Sequence, residues 1–328
     1  VLYLARSVVL PLVLAMFLTA IIGPLLRFLH RRLPLGVSIV IVLLILALVV
    51  VGGTALFAYT SFRVAERAPK YVDRFQARFE FLVTAAQKQG LPLNWDQIGV
   101  KKVTDYALQF VGAGLESVLS MVGQAVLVLF LTIFLALEAA QFRKKIDAGF
   151  HTIVRSKIQS TIADISKQIQ RYAATKTLLS LLIGACNFVV CSALGIDFPF
   201  FWAALAFLLN FIPNVGSLIA IAPPVFLAFV QFDGLGRPVA TLAILVVLQN
   251  LIGNLIEPKL LGRSMNVSAL VVFLSMIFWG WLWGIIGVVL AVPLTVGVKI
   301  ACGHVEALRP ISVILGGDPI EPKPASPY

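Results

Sequence analysis

Along this chain, stretches of about 20 apolar residues alternate with short clusters of charge, the pattern that membrane-crossing helices need. Five such stretches stand out: residues 8–26, closed by RFLHRRLP; 35–60; 111–137, closed by Glu138 and the basic run at 143–145; 177–196; and 238–256. Two further apolar stretches, 198–230 and 267–298, are a little over 30 residues each. That is too long for one span of about 20 residues and too short for two of about 40. Both carry helix breakers near the middle, Pro213, Asn214 and Gly216 in the first and Gly280, Gly284 and Gly287 in the second, with Pro223, Pro224 and Pro293 further on. The length and the breakers predict helical hairpins that enter and leave on one side. A single tilted, kinked helix is the competing reading for each.

Between the spans, the polar positions predict helices of another kind. Residues 63–110 mix charge with Val72, Phe75, Phe79 and Leu82 at helical spacing. Pro69 lies near that helix's start and Gly90 and Pro92 end it, and Asn94 to Gln97 open a second helix. Residues 150–172 place Val154, Ile158, Ile162, Ile165, Ile169 and Tyr172 on one stripe, with Arg155, Lys157, Lys167 and Arg171 among the polar positions. This is a basic amphipathic helix for a membrane surface or the side of the bundle. The chain thus divides into N-terminal spans with a basic loop (1–62), an extramembrane helical segment (63–110), a span (111–140), the basic helix (141–176), a core of span, hairpin, span and hairpin (177–298), and a Pro-rich tail (299–328) whose end is predicted to be disordered.

Composition fixes the class. Hydrophobic residues make up 60% and charged residues 12% of the 328, and mean hydropathy is +0.98. A soluble domain carries about 25% charged residues. The expected fold is therefore an all-α integral membrane protein, a multi-pass helical bundle, since backbone polar groups in lipid must be satisfied internally. The net charge of +11 does not make nucleic acid a partner, because no groove-reading motif accompanies it. The Lys and Arg residues sit in loops that set orientation and face anionic lipid. The loop at 27–34 has three Arg and no acid, and 141–176 has eight Lys/Arg against two Asp, which puts both in the cytoplasm and 63–110 outside. Continuing the count, the hairpin at 198–230 opens outward and that at 267–298 opens to the cytoplasm. Span plus hairpin then recurs in opposite orientation, an inverted repeat of the kind secondary transporters use.

The polar residues inside these segments are the candidate chemistry. Asn250, Asn254 and Glu257 follow i, i+4, i+7 spacing at the end of the 238–256 span, beside Gln249, and Gly253 permits close approach on that side. They line a solute path or hydrogen-bond between helices. Glu257 could also be solvated, or paired with Lys259 or Arg263. Asn214 and Ser217 flank Gly216 at the tip of the first hairpin, where a half-helix start offers free N–H groups to a ligand or takes a side-chain cap. WGWLWG at 279–284 belongs to an interface or to ring packing on a ligand at mid-depth. Cys186, Cys191 and Cys302 have no CxxC spacing and imply neither disulfide nor zinc. His30, His151 and His304 are widely separated, and no H-E-x-x-H, Walker A or G-x-S-x-G occurs, so neither an enzyme nor an ATP-driven pump is expected and no cofactor is implied.

With these segments placed, the chain resembles the AI-2E (autoinducer-2 exporter) transporter family over nearly its whole length. ARSVVLPLVLAMFLTAIIGPLLRFLHRRLP is similar to the family's early span and basic loop, and FIPNVGSLIAIAPPVFLAFV and QNLIGNLIEPKLLGRSMNVSALVVFLSMIFWGWLWGIIGVVLAVPL to its two signature blocks. LEAAQFRKK departs from the family, which would have a more acidic dipeptide there. Val1 is not a start methionine, and the resemblance implies another span upstream. It further implies a bacterial inner-membrane exporter of a small polar solute, with autoinducer-2 the name-giving substrate. A proton or sodium is the candidate coupling ion, and the residues read above from helical phase and from the hairpin tip, Asn214, Gly216, Ser217, Asn250, Asn254 and Glu257, are the candidate site. A homo-oligomer in membrane lipid is expected, a pentamer being the specific candidate. A sodium/proton antiporter is the alternative within transport, and a non-transporting scaffold or channel-like oligomer the alternative outside it.

Overall fold

The computed structural model describes residues 6–88, 123–138, 141–142, 144–213, 215–261 and 267–317. In chain order its helices are α1 (Arg6–His30), α2 (Leu35–Lys88), α3 (Gly123–Glu138), α4 (Thr152–Leu194), α5 (Pro199–Leu209), α6 (Val215–Gln231), α7 (Gly236–Asn250), α8 (Glu257–Leu261), α9 (Ala269–His304) and α10 (Arg309–Ile314). A π-helical turn, Leu251–Ile256, joins α7 to α8 without a break. Among the described residues the fold is all-α, with one isolated bridge between Val267 and Gly316. Five helical runs are long and apolar enough to cross a membrane: Arg6–His30, Leu35–Arg78, Thr152–Leu194, Gly236–Leu260 and Ala269–His304. The chain is a multi-pass membrane protein.

Two segments separated by sequence pattern are continuous in the structure. The span at 35–60 runs on through Pro69 to Lys88 as one helix of 54 residues, and the basic helix at 150–172 runs into the next span as one of 43. Neither junction, 60–68 or 173–177, contains Gly or Pro, so nothing interrupts the hydrogen-bond ladder where polarity changes. At 1.5 Å per residue α2 is about 80 Å long, against about 30 Å of hydrocarbon. Its C-terminal part therefore leaves the apolar layer as a rigid arm. The helices expected beyond Gly90 and the start of the third span lie outside the described residues.

The chain forms two compact units, one of Val1–Ile45, Val126–Thr177 and Glu257–Tyr328, the other of Leu46–Ala125 and Leu178–Ile256. In the second unit, Leu179 and Ile183 of α4 pack with Ala206 of α5, Ala220 of α6 and Ile252 of the π turn. Val190 of α4, Ile221 of α6 and Leu245 of α7 form a neighbouring cluster. Alanines recur at these contacts, as expected where helices associate in lipid by close van der Waals approach rather than by excluding water. In the first unit, Tyr172 of α4 packs with Val292 and Val296 of α9 and with Phe17 of α1. Leu48, Leu218 and Ile285 stay more than 70% exposed, apolar surface of the kind that meets lipid or another protein.

Each of the two stretches of a little over 30 apolar residues doubles back. In the first, α5 is about 16 Å long and cannot cross the hydrocarbon. Gln231, at the end of α6, accepts from the Asp197 N–H (3.0 Å) and donates to the Gly195 carbonyl (2.8 Å), so entrance and exit of the α5–α6 pair are laced together. In the second, α9 breaks at Gly284, whose φ of 66° and ψ of −146° favour glycine. The Thr295 hydroxyl donates to that of Ser275 at 2.8 Å. In a straight helix those residues would stand about 30 Å apart, so the two halves lie side by side.

Candidate functional site

The turns of the two doubled-back stretches share a local construction. A Cβ on Gly216 would lie 1.8 Å from the Leu209 carbonyl oxygen and 3.1 Å from the Ile212 Cβ. One on Gly287 would lie 1.9 Å from the Trp279 carbonyl oxygen and 3.1 Å from the Trp283 Cβ. In both, the start of the returning helix touches the backbone of the outgoing one, which only glycine allows. Gly253 is different: among the described residues nothing lies within 4 Å of its Cβ position.

Buried polar groups collect beside these turns. At the end of α5, Asn210 is 3% exposed and donates to the Ser180 hydroxyl at 2.9 Å. Seven residues along α4 from Ser180, Asn187 donates to the Ile183 carbonyl at 2.9 Å, while its own buried Oδ1 has no partner among the described residues. In the first unit Trp283, beside Gly284, packs on Trp279 with tilted rings 5.0 Å apart and buries an indole N–H without a partner among the described residues, whereas Trp281 of the same motif is largely exposed. Unpartnered buried polar atoms are rare in native folds, and each calls for an explanation.

A π turn runs through the polar stripe at the end of α7. Leu251–Ile256 is wound with i→i+5 bonds, which changes the angular phase, and such turns recur at functional sites. Asn254 donates to Asn250 at 2.8 Å and Asn250 donates to the Val246 carbonyl at 2.8 Å, and both side chains are exposed on this chain. Glu257 takes a partner the sequence spacing did not suggest. Its Oε1 accepts from Lys176 Nζ at 2.6 Å, with the side chains 21% and 3% exposed. Lys176 lies where α4 passes from basic to apolar sequence, and Tyr172, one turn earlier, buries a hydroxyl with no partner among the described residues. A lysine lodged between two apolar turns was the available signal. Ser217 is half-buried, and Asn214 lies outside the described residues.

Comparison with known proteins follows the same segments. The chain matches the family described as AI-2E family transporter over residues 1–307. The chain belongs to that family. It is 32% identical to the AI-2 transport protein TqsA of Escherichia coli (strain K12) over 95% of this chain and 90% of that one. It is 29% identical to YhhT of the same strain over 98% and 91%. A Haemophilus influenzae protein named for transport is 30% identical over 91% and 87%. Family and relatives are named as transport proteins rather than enzymes.

Proposed function

We propose that this protein is a secondary transporter of the bacterial inner membrane that exports a small, uncharged polar solute, autoinducer-2 being the first candidate. The observation that carries the proposal is the pair of bent helical stretches, each closed by a glycine on a carbonyl, with buried polar side chains next to the bends, Asn210 at the end of α5 and Trp283 beside Gly284. Irregular backbone at membrane depth persists only where it is buried in protein or lines a polar cavity. The two stretches are read as re-entrant hairpins of an inverted repeat, opening to opposite sides. The proposed solute contacts are Asn214, Gly216 and Ser217 at the first turn, joined by Asn187 and Asn210, together with Asn250 and Asn254. Amides and hydroxyls offer both donors and acceptors, which suits a hydroxyl-rich neutral solute. Glu257, held by Lys176, is the proposed coupling group.

The buried Lys176–Glu257 pair also supports a second reading, sodium/proton antiport, in which proton or sodium entry opens the ion pair. One experiment separates them: purified protein in proteoliposomes, assayed side by side for autoinducer-2 counterflow and for sodium-driven proton movement. Solute counterflow lost in Asn254→Leu and reduced in Ser217→Ala supports the first reading. Sodium-dependent proton movement without counterflow, abolished by Glu257→Gln, replaces it with the second. Neither activity in a correctly inserted protein overturns both.

A further inference from the structure

Away from the turns, the first unit contains a cleft of 480 Å³ between the basic part of α4, the end of α9 and α10. That is within the range of about 300–1,000 Å³ usual for small-molecule sites. Its lining is lopsided in charge. Lys167 and Arg171 of α4, Lys299 and His304 of α9 and the Ser312 hydroxyl of α10 face it, against the single carboxylate of Asp164. Asp164 is already engaged, with His304 Nε2 3.6 Å from its Oδ2. Lys167 and Arg171 stand four residues apart on one helical face, where like charges repel. Neither forms a salt bridge among the described residues.

We infer that this cleft binds a phosphate-bearing anion. Three cations from two helices line one volume, and a guanidinium in that set favours a ligand with several coplanar or tetrahedral oxygens. The carbonyl end of α9 opposes an anion, but with only about half an elementary charge. A metal cation would find one carboxylate, already paired, and three positive neighbours. A neutral solute would leave the repulsion between Lys167 and Arg171 in place. The ligand can reach the cleft as a free phosphate compound or as a phospholipid headgroup, since the basic helix is on the face that the Lys/Arg count assigns to the anionic leaflet. The inference stands independently of which solute the turns carry.

The test uses the full chain in lipid-free neutral detergent micelles and in nanodiscs. Inorganic phosphate is titrated into the micelles by calorimetry. In parallel, nanodiscs of phosphatidylcholine alone or with phosphatidic acid are compared by thermal unfolding, and lipid retained after delipidation is measured by native mass spectrometry. Binding of either probe is expected, weakened about tenfold or more in Lys167→Gln/Arg171→Gln, as loss of two charge-assisted contacts implies. Arg31→Gln/Arg32→Gln removes the same charge from an exposed loop and should bind like the parent. The single Arg171→Gln repeats the measurement if the double variant lowers Tm. Phosphate binding in micelles identifies a soluble ligand, and binding only of phosphatidic acid identifies a headgroup. If neither probe binds, or if the loop variant loses as much as the cleft variant, the site does not exist and the charges act only as surface field.

Discussion

At the scale of single residues, the Lys176–Glu257 pair and the turn glycines make the sharpest predictions. Removing one partner of a buried ion pair strands the other charge, at about 3–5 kcal/mol, whereas replacing both is often neutral. Lys176→Met and Glu257→Gln should therefore each lower thermal stability in detergent markedly, and Lys176→Met/Glu257→Gln should recover most of it. If the double variant regains stability but not transport, the pair has a role beyond packing; if each single variant is as stable as the parent, the pair is solvated. Gly216→Ala and Gly287→Ala drive a methyl into a backbone carbonyl, with no flexible side chain to give way. Each should destabilise by about 2–3 kcal/mol or more, while Gly253→Ala, facing open space, should be neutral or slightly stabilising. Equal unfolding temperatures for Gly216→Ala and Gly253→Ala would remove the close-packed turn from the account.

At the scale of elements, α2 is the part whose role is least visible in its own sequence. Its arm grips both ends of the α5–α6 pair. Tyr71 donates to Asp197 at the entrance, and Arg78 donates to the carbonyls of Phe229 and Phe232 at the exit. Arg67 and Arg78 lie over the rings of Phe198 and Phe229 at 5.5 and 5.0 Å. The carbonyls at the end of α6 have no helical partner of their own, and a guanidinium supplies two donors at once. Arg78→Ala should raise hydrogen exchange at residues 229–235 and leave the cores around Leu179 and Val190 protected; Arg78→Lys should recover only part, lacking the fork. Uniform protection in all three proteins would show that the arm rests on the pair without holding it.

At the scale of the whole molecule, the topology argued from charge is the prediction on which the inverted repeat depends. In a chain whose native cysteines are replaced, Asp73→Cys on the α2 arm and Lys157→Cys on the basic helix should react with an impermeant thiol reagent from opposite sides of intact cells. Reaction of both from one side would cancel the inverted repeat. The exposed Asn250 and Asn254 also bear on assembly. Amides on a membrane helix are expensive to leave in lipid, so in the membrane they face a solute path or a second copy. Cross-linking of Asn250→Cys to itself between subunits would place them at the oligomer contact and take them out of the proposed path.

The sequence by itself determined the class and the segments of this protein, because burial in lipid imposes length and polarity on each helix independently of its neighbours. The apolar runs at 8–26, 35–60, 177–196 and 238–256, the two stretches too long for one crossing and the glycines that bend them were legible as local pattern. Tertiary structure decided what depends on partners distant in the chain. Glu257 found Lys176, 81 positions away, rather than Lys259 nearby. Arg78 reached carbonyls more than 150 positions on, and Ser180 met Asn210. Asn250 and Asn254 meet as their spacing suggests, but the π turn that runs between Asn250 and Glu257 was not legible, since a local hydrogen-bond shift leaves almost no mark in residue type. Periodicity reports which face of a helix is apolar; which polar groups meet across the core is set only when the helices pack.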